Sequence, residues 1–425
     1  MFDIIIIGSG PSSLLMTHYL LTHYQYNICL ITKKFLPWHC TYGIFEKSLQ
    51  NSWLLNDPIM KDIFSHKLDC QLHCPDKNQK LDLNKNIELL QEKYYLLNNN
   101  DFFIKINELF LNNKNNNEKK IKSLNLKEGT VLNIINHKDK KKVIYLKNNK
   151  KKVLFGKLII EGTGHLKPIG IRYLLDYPKS YQTFVGYKIE TVEPHGFSKV
   201  ILMDWYDTEI GNCPSSFCYF IPYSKTVLFA EETILCNNSH EKYHKILESR
   251  LKKRLDDYKL NIKKVIFIEK NIISMNRFVP DPNSVSLGIG VNGNMVNPVS
   301  GYSLGINIYN IPKLAKLINI HQFDTFKIYQ DFWNWEKKLM FIINLAGQKM
   351  LLSYKTNKQY SIFFKQFISK TNHNKVHFNF IFHNIFDNKL QFLKTLYIYF
   401  TLGWRIIIDL ILNTGKIIII FLLNR

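Results

Sequence analysis

Two adjacent carboxylates, Glu231 and Glu232, interrupt the apolar run VLFAEETIL at 227–235. Val227, Phe229, Thr233 and Leu235 are strand formers at alternate positions, so the run is predicted to be a β-strand. Side chains alternate across a strand, which sends the two acids to opposite faces. One can face water at little cost. The other, taken to be Glu231, shares a face with Phe229, Thr233 and Leu235, where an unpaired charge is expensive. Burial among apolar side chains raises a carboxyl's pKa, and an acid kept protonated near neutral pH is a proton donor. Asp204 and Trp205, in MDWYD at 203–207, fall on a neighbouring predicted strand and add a charge and an indole ring to the candidate catalytic set.

A second constellation is GSGPSS at 8–13, which follows a buried strand and opens a helix. That is the context a dinucleotide fingerprint requires. Gly8 allows the tight turn, and Gly10, followed by Pro11 and Ser12, lets the backbone approach a pyrophosphate at the helix N-terminus. Ser13 stands where the third glycine is expected, and Thr32 where an acid would close the second strand. Two later glycine turns reinforce the signal: KLIIEGTG at 157–164, with Gly162 and Gly164, and GIGVNGNMVNPVSGY at 288–302. The latter carries Gly288, Gly290, Gly293, Pro298, Gly301 and Tyr302. Flavoproteins of this kind close their site with two such turns, so FAD is the expected cofactor.

The elements that must position these groups follow from periodicity. FDIIIIGSGPSSLLMTHYLLTH reads as strand, turn and helix, and YNICLIT at 26–32 as the next parallel strand, a β-α-β opening. Residues 112–152 are rich in Lys and Asn; TVLNII, KVIYL and KVLFGKLII within and just beyond them form a β-meander between polar turns. From 181 to 236 the pattern is mainly strand, and 240–258 has helical spacing. The stretch 286–318 is a strand, a glycine-rich loop and a helix, and 321–425 reads as helical. Near its end Arg405, Asp409 and Lys416 interrupt an apolar stretch, leaving no run of the ~20 apolar residues a span needs. That predicts an interfacial or bilayer-dipping helix, with a buried core helix as the alternative.

The predicted fold class is α/β (α+β): a Rossmann-like FAD-binding domain, a mainly antiparallel-sheet substrate domain and a helical C-terminal region. The FAD-binding domain takes 1–180, including a meander at 128–160, and 276–320. The substrate-binding sheet takes 181–275, and the helical, membrane-associated region 321–425.

Composition narrows the partners. Lys+Arg 57 against Asp+Glu 34 gives a net charge of +23, which compositional bias or contact with an anionic surface explains. No recognisable DNA- or RNA-binding motif accompanies the basic residues, so nucleic acid is a poor reading and an anionic membrane surface stays open. Cys70 and Cys74, with His66 and His73 nearby, have no second ligand pair at a suitable spacing, so no metal is expected and reduced thiols are the default. The first predicted strand begins at Phe2, which predicts no signal or transit peptide.

With these segments placed, the chain resembles the plant and cyanobacterial type of lycopene cyclase. LPWHCTYGIF at 36–45 is similar to that family's Trp-Pro…Tyr-Gly-Val-Trp block through Tyr42 and Gly43. YQTFVGYKIE matches its Gln-Thr…Gly segment through Gln182, Thr183 and Gly186, MDWYD resembles Met-Asp-Trp-Arg-Asp, and FAEET resembles Phe-Leu-Glu-Glu-Thr. The 288–302 turn keeps Pro298, Gly301 and Tyr302; Tyr206, Asn294 and Asn297 depart from the family's Arg, Gly and His. The resemblance implies acid-catalysed, redox-neutral closure of the linear ends of lycopene into β- or ε-ionone rings. It implies Glu231 as general acid, Glu232 assisting, Asp204 orienting a partner and Trp205 facing a carbocation. Reduced FAD, with NADPH as electron donor, is implied beside them. A membrane-dissolved substrate implies peripheral attachment to an anionic photosynthetic or cytoplasmic bilayer. The alternatives are an FAD-dependent monooxygenase or polyprenyl reductase of similar architecture, or a non-catalytic flavin- or carotenoid-binding remnant.

Overall fold

Four consecutive isoleucines, Ile4 to Ile7, are buried in the strand Phe2–Ile7, so both of its faces are covered. A parallel strand sandwiched in this way reads as a continuous apolar run rather than an alternation. It pairs in parallel with Asn27–Thr32 on one side and Lys150–Glu161 on the other, the helix Pro11–His23 making the first crossover. Ser123–Glu128 extends the parallel layer beyond Asn27–Thr32, and Leu287–Gly288 pairs with the end of Lys150–Glu161. Thr130–His137, Lys140–Lys147 and Lys150–Glu161 form the antiparallel meander, whose last strand is also the neighbour of the first. The computed structural model describes residues 1–372, apart from 39, 51, 76–86, 116–122, 166, 212–213 and 240–242, together with positions 408, 412, 415 and 418.

The second sheet has eight strands in the order Ile262–Ser274, Tyr181–Thr191, Val227–Asn237, Phe217–Pro222, Val200–Asp204, Phe64–His73, Ile87–Leu97 and Gly43–Phe45. All neighbours are antiparallel except Val200–Asp204 with Phe64–His73. Three of these strands come from within the first 180 residues, and the edge strand Ile262–Ser274 falls where periodicity indicated none. Phe64–His73 and Ile87–Leu97 mix Lys, Asp, Glu and Gln with apolar residues, which blurs their period-two signal.

Both faces of this sheet are covered. The helix His244–Asp257 lays Leu247, Leu251 and Leu255 over Val185, Ile189, Ala230 and Ile234. The opposite face carries Phe217, Phe229 and Leu235 into the main core, where the helices Leu304–Ile320, Trp335–Ser353 and Asn357–Asn372 also pack. The mixed α/β class and its two-sheet layout are those predicted. No helix among the described residues is long and apolar enough to cross a membrane. The stretch with Arg405, Asp409 and Lys416, expected to dip into a bilayer, lies outside the described residues.

Candidate active site

Glu231 sits in the middle of the strand Val227–Asn237, flanked by Tyr181–Thr191 and Phe217–Pro222, so it is on an interior strand. Directly across from it stand Gly186 on one neighbour and Tyr219 on the other. Gly186 in turn stands opposite Glu269 of the edge strand. Residues directly opposed in a ladder share a face, so Glu231 and Glu269 flank a residue with no side chain. A Cβ on Gly186 would lie 2.6 Å from Phe229 Cζ, so the glycine leaves room for the phenyl ring as well as for the acids.

Both acids are held in hydrogen bonds on that face. The Thr233 hydroxyl donates to Glu231 Oε1 at 2.9 Å, and the Thr41 backbone N–H donates to Glu269 Oε2 at 3.1 Å. Burial pushes the Glu231 carboxyl well above the usual range, the neighbouring Glu269 charge pushes it further, and the Thr233 hydroxyl pulls back only in part. Burial likewise pushes Glu269 up to about 7, against the hydrogen bonds from Thr41 and Cys40. Two nearby acids in a poorly solvated site resist ionising together, so the pair retains a proton at neutrality.

They line a cavity of about 240 Å³. The rings of Tyr42, Tyr94, Phe184, Tyr219, Phe229 and Tyr302 line it, beside aliphatic and polar residues. Gln182 and Gly301 also line it. The Gln182 Nε2 is buried with no hydrogen-bond partner among the described residues.

Glu232 points the other way, as alternation requires, but into protein rather than water. It lies under the helix His244–Asp257 and is fully buried. Arg254 grips it with Nε to Oε2 at 2.7 Å and Nη2 to Oε1 at 3.0 Å, and the Ser216 hydroxyl donates at 2.6 Å. The same guanidinium donates through Nη1 to Asp204 Oδ2 at 2.8 Å. Asp204 further engages His73 Nδ1 at 2.7 Å and the Tyr258 hydroxyl at 2.9 Å. Burial alone would raise the Asp204 carboxyl; Arg254 and His73 outweigh it and hold it at about 2. Trp205 stacks with Tyr360 and with Phe364 of the helix Asn357–Asn372, and the Phe217 ring lies tilted against it. Of the four candidate catalytic residues, only Glu231 lines the aromatic cavity.

The nucleotide cavity adjoins it. Tyr42, Gly164, Val291, Ser303 and Leu304 line both spaces. The larger, of about 570 Å³, is formed by Gly8, Gly10, Pro11, Ser12, Ser13, Gly162, Gly164 and Gly290 with residues around them. Gly8 has φ +104°, and a Cβ there would stand 2.3 Å from the Gly162 carbonyl oxygen. Ser13 serves in the third glycine's place because its partner is itself a glycine: Ser13 Oγ lies 3.5 Å from the Gly162 oxygen. Gly10 caps Pro11–His23 without any side-chain cap, and a Cβ on it would meet nothing within 4 Å. An uncapped helix N-terminus facing open space is the cradle a pyrophosphate requires, so these residues fit a dinucleotide. Thr32 bonds Ser9 and the Lys34 carbonyl, while Glu128, opposite it on the next strand, is taken by the Phe35 N–H.

The remaining glycine-turn residues act at one remove. Gly288 and Gly293 touch backbone to backbone, a Cβ on either falling within 2.6 Å of the other turn arm. The Pro298 carbonyl accepts from Gln348 Nε2 at 2.6 Å. Gly301 and Tyr302 reach the aromatic cavity. Asn297, in the family histidine's place, accepts the N–H groups of Val299 and Ser300 and holds the turn. Among the described residues no group of three or more His, Cys, Asp or Glu could hold a metal ion.

Sequence reasoning did not find Glu269. Its signal was an acid inside VIFIEKNII, a run read as neither strand nor helix. Nor could it place Gly186 between two acids, since that needs the register of three strands.

A glycine-turn parallel layer joined to a mainly antiparallel sheet, with a cavity between them, is the fold of the flavin-dependent oxidoreductases and halogenases. Two solved structures share it across nearly the whole chain. One is a geranylgeranyl bacteriochlorophyll reductase-like protein from Thermoplasma acidophilum, with TM-score 0.66 at 12% identity over 95% of this chain and 99% of that one. The other is a triple mutant of a flavin-dependent brominase, with TM-score 0.59 at 14% identity over 94% and 98%.

The family model for lycopene cyclase protein matches residues 3–369, and the chain belongs to that family. Among curated relatives it is 26% identical to the chloroplastic neoxanthin synthase of Solanum lycopersicum over 78% of this chain and 64% of that protein. It is 27% identical to the chloroplastic lycopene beta cyclase of Nicotiana tabacum over 46% and 42%. The chain thus spans just under two thirds of the first relative's length, 64%.

Proposed function

We propose that the chain closes the linear ends of lycopene or a related carotene into rings, an intramolecular rearrangement without net oxidation. The observation that carries this is the Glu231–Glu269 pair, two buried acids sharing an aromatic-walled cavity next to the nucleotide cavity. Glu231 is the stronger proton holder and acts as general acid. Its proton goes to the terminal double bond of the polyene, leaving a tertiary carbocation at the adjacent carbon. The internal double bond attacks that carbon and closes the six-membered ring. The proton then lost from the ring passes to the Glu269 carboxylate, and the pair again holds one proton between two acids. One proton enters and one leaves, so the reaction balances.

The surroundings suit a cation. Tyr42, Tyr94, Tyr219 and Phe229 offer π faces, and the ionised partner acid offers negative charge. Apolar walls keep out the water that would capture the intermediate. FAD would be held by Gly8, Gly10, Ser12, Ser13 and the Gly162–Gly164 and Gly290 turns. Bound there and reduced, with NADPH as the electron donor, FAD would supply an electron-rich ring. Asp204, Glu232 and Trp205 take a positioning role here, fixing the strands beneath the acids through Arg254 and the aromatic stack. A membrane surface would deliver so apolar a substrate, and the net charge of +23 favours an anionic one.

Expression in a bacterium engineered to accumulate lycopene, with chromatography of the pigments, tests the reading. Ring-bearing carotenes are expected. Unchanged lycopene in cells holding folded, flavin-loaded protein would sink it, as would oxygen consumed in proportion to product.

A further inference from the structure

The loop between the strands Asn27–Thr32 and Gly43–Phe45 brings Cys40, Thr41 and Tyr42 to the wall of the aromatic cavity, beside Glu269 and Asn271 of the edge strand Ile262–Ser274. Glu269 and Asn271 are two positions apart on that strand, so their side chains share its cavity face. Asn271 Nδ2 donates to Cys40 Sγ at 3.2 Å, and the Cys40 thiol in turn donates to the Glu269 carboxylate. Thr41 adds its backbone N–H at 3.1 Å.

The direction of this chain follows from what each group can give. The Asn271 carbonyl oxygen accepts the Ile272 N–H at 2.9 Å, which turns the amide N–H₂ toward the sulfur. An N–H₂ only donates, so it occupies a lone pair of the sulfur and leaves the S–H for an acceptor. Burial, and after it the Glu269 charge, pushes the Cys40 thiol up to about 12, so it keeps that hydrogen throughout the range in which Glu269 titrates. The backbone on either side of the thiol is fixed as well. Asn99 Nδ2 donates to the Cys40 carbonyl at 2.6 Å, and the Leu97 N–H to the Tyr42 carbonyl at 2.9 Å.

Glu231 faces Glu269 from Val227–Asn237, Tyr42 from the loop, and Tyr223 from the end of Phe217–Pro222. Lys188, on the same sheet face, lies over the Tyr223 ring at 3.6 Å, and Lys270, on the opposite face, is paired with Glu248. With no cation paired to it among the described residues, Glu269 depends on its hydrogen bonds for the ionised form, against its burial.

We propose that Asn271 is a positioning residue for the proton acceptor: acting through Cys40, it aims the thiol hydrogen at Glu269 and keeps that carboxylate available for the proton lost from the ring. Its role in the reaction rests on Glu269 being that acceptor; its effect on Glu269 is measurable without turnover.

Infrared titration of the flavin-loaded protein, taken as the difference from Glu269→Gln, follows the Glu269 carboxyl with no substrate present. Donors to a carboxylate favour its charged form, so losing one raises the pH at which it ionises. Cys40→Ala should move the titration up by about one pH unit. Asn271→Leu, which leaves the thiol in place but unaimed, should move it the same way by less, with the flavin absorbance spectrum unchanged. Cys40→Ser keeps a donor and should hold the titration at or below its wild-type place. A titration unmoved by both Cys40→Ala and Asn271→Leu would overturn the proposal, as would a rise in Cys40→Ser equal to that in Cys40→Ala. The acid limb of ring formation should follow each infrared shift. A limb that stayed in place while the infrared titration moved would remove Glu269 as the acceptor, a failure of the cyclisation scheme and not of the hydrogen-bond chain.

Discussion

Glu231 and Glu269 stand on the same sheet face on either side of Gly186, two strands apart and roughly 10 Å between their backbones. Glutamate side chains are long enough to converge over a glycine from that distance. With no side chain between them, each feels the other's charge, and their aromatic surroundings supply little water to screen it. In the proposed mechanism the two acids divide the work: one holds the proton while its partner carries the charge.

That division fixes a pH dependence. Glu269 titrates near 7, so below that value it gains a proton and can no longer take one from the ring. Glu231 ionises well above the usual carboxylate range, so activity falls again once the pH passes its own titration. A bell-shaped profile is expected, with its acid limb near 7. In Glu269→Gln the charge that helps raise Glu231 is gone, so the alkaline limb should move to lower pH while the rate falls. Pigment formation in buffered liposomes across pH reads this; an alkaline limb that stays in place would separate the two acids.

The glycines of the nucleotide turn should respond differently to the same methyl group. Gly8→Ala places a Cβ 2.3 Å from a backbone oxygen at φ +104°, so the turn must shift and the protein should lose both stability and flavin. Gly10→Ala meets nothing within 4 Å and has φ −70°, so the empty fold should tolerate it. Its methyl would instead occupy the space the pyrophosphate needs, and flavin affinity should fall at least tenfold with Tm of the flavin-free protein nearly unchanged. Flavin retained at wild-type affinity by Gly10→Ala would move the pyrophosphate elsewhere.

Arg254 separates scaffold from chemistry. Its removal leaves Glu232 and Asp204 buried and unpaired, a loss typically of about 3–5 kcal/mol. Arg254→Met should therefore unfold or strongly destabilise the protein in a urea titration. Glu231→Gln, which replaces a protonated acid by a neutral amide of the same shape, should leave the midpoint nearly unchanged and abolish ring formation. The reverse pattern would exchange the roles assigned to the two faces.

Much of this arrangement was legible in local sequence. The buried β-α-β opening announces itself through four isoleucines and a glycine turn, because a strand covered on both faces must be apolar throughout. Alternation alone separated Glu231 from Glu232 correctly. It could not tell that the strand is interior, so it left water open as the surroundings of the second acid: Glu232 is in fact covered by a helix and matched by Arg254. The strands at 43–97 and 262–274 escaped because their polar residues are satisfied by partners distant in sequence. Glu269 escaped with them, since its meaning depends on lying across Gly186 from another acid.

The central claim is that a proton from Glu231 starts the reaction and no electrons are consumed. Ring formation by the flavin-loaded protein in deuterium oxide, followed by mass spectrometry of the carotene, measures it directly. The carboxyl protons exchange with solvent before substrate binds, so in a single turnover each ring formed should carry one solvent deuterium, and NADPH should not be used in proportion to product. Rings without solvent deuterium, or with one NADPH spent per ring, would contradict it.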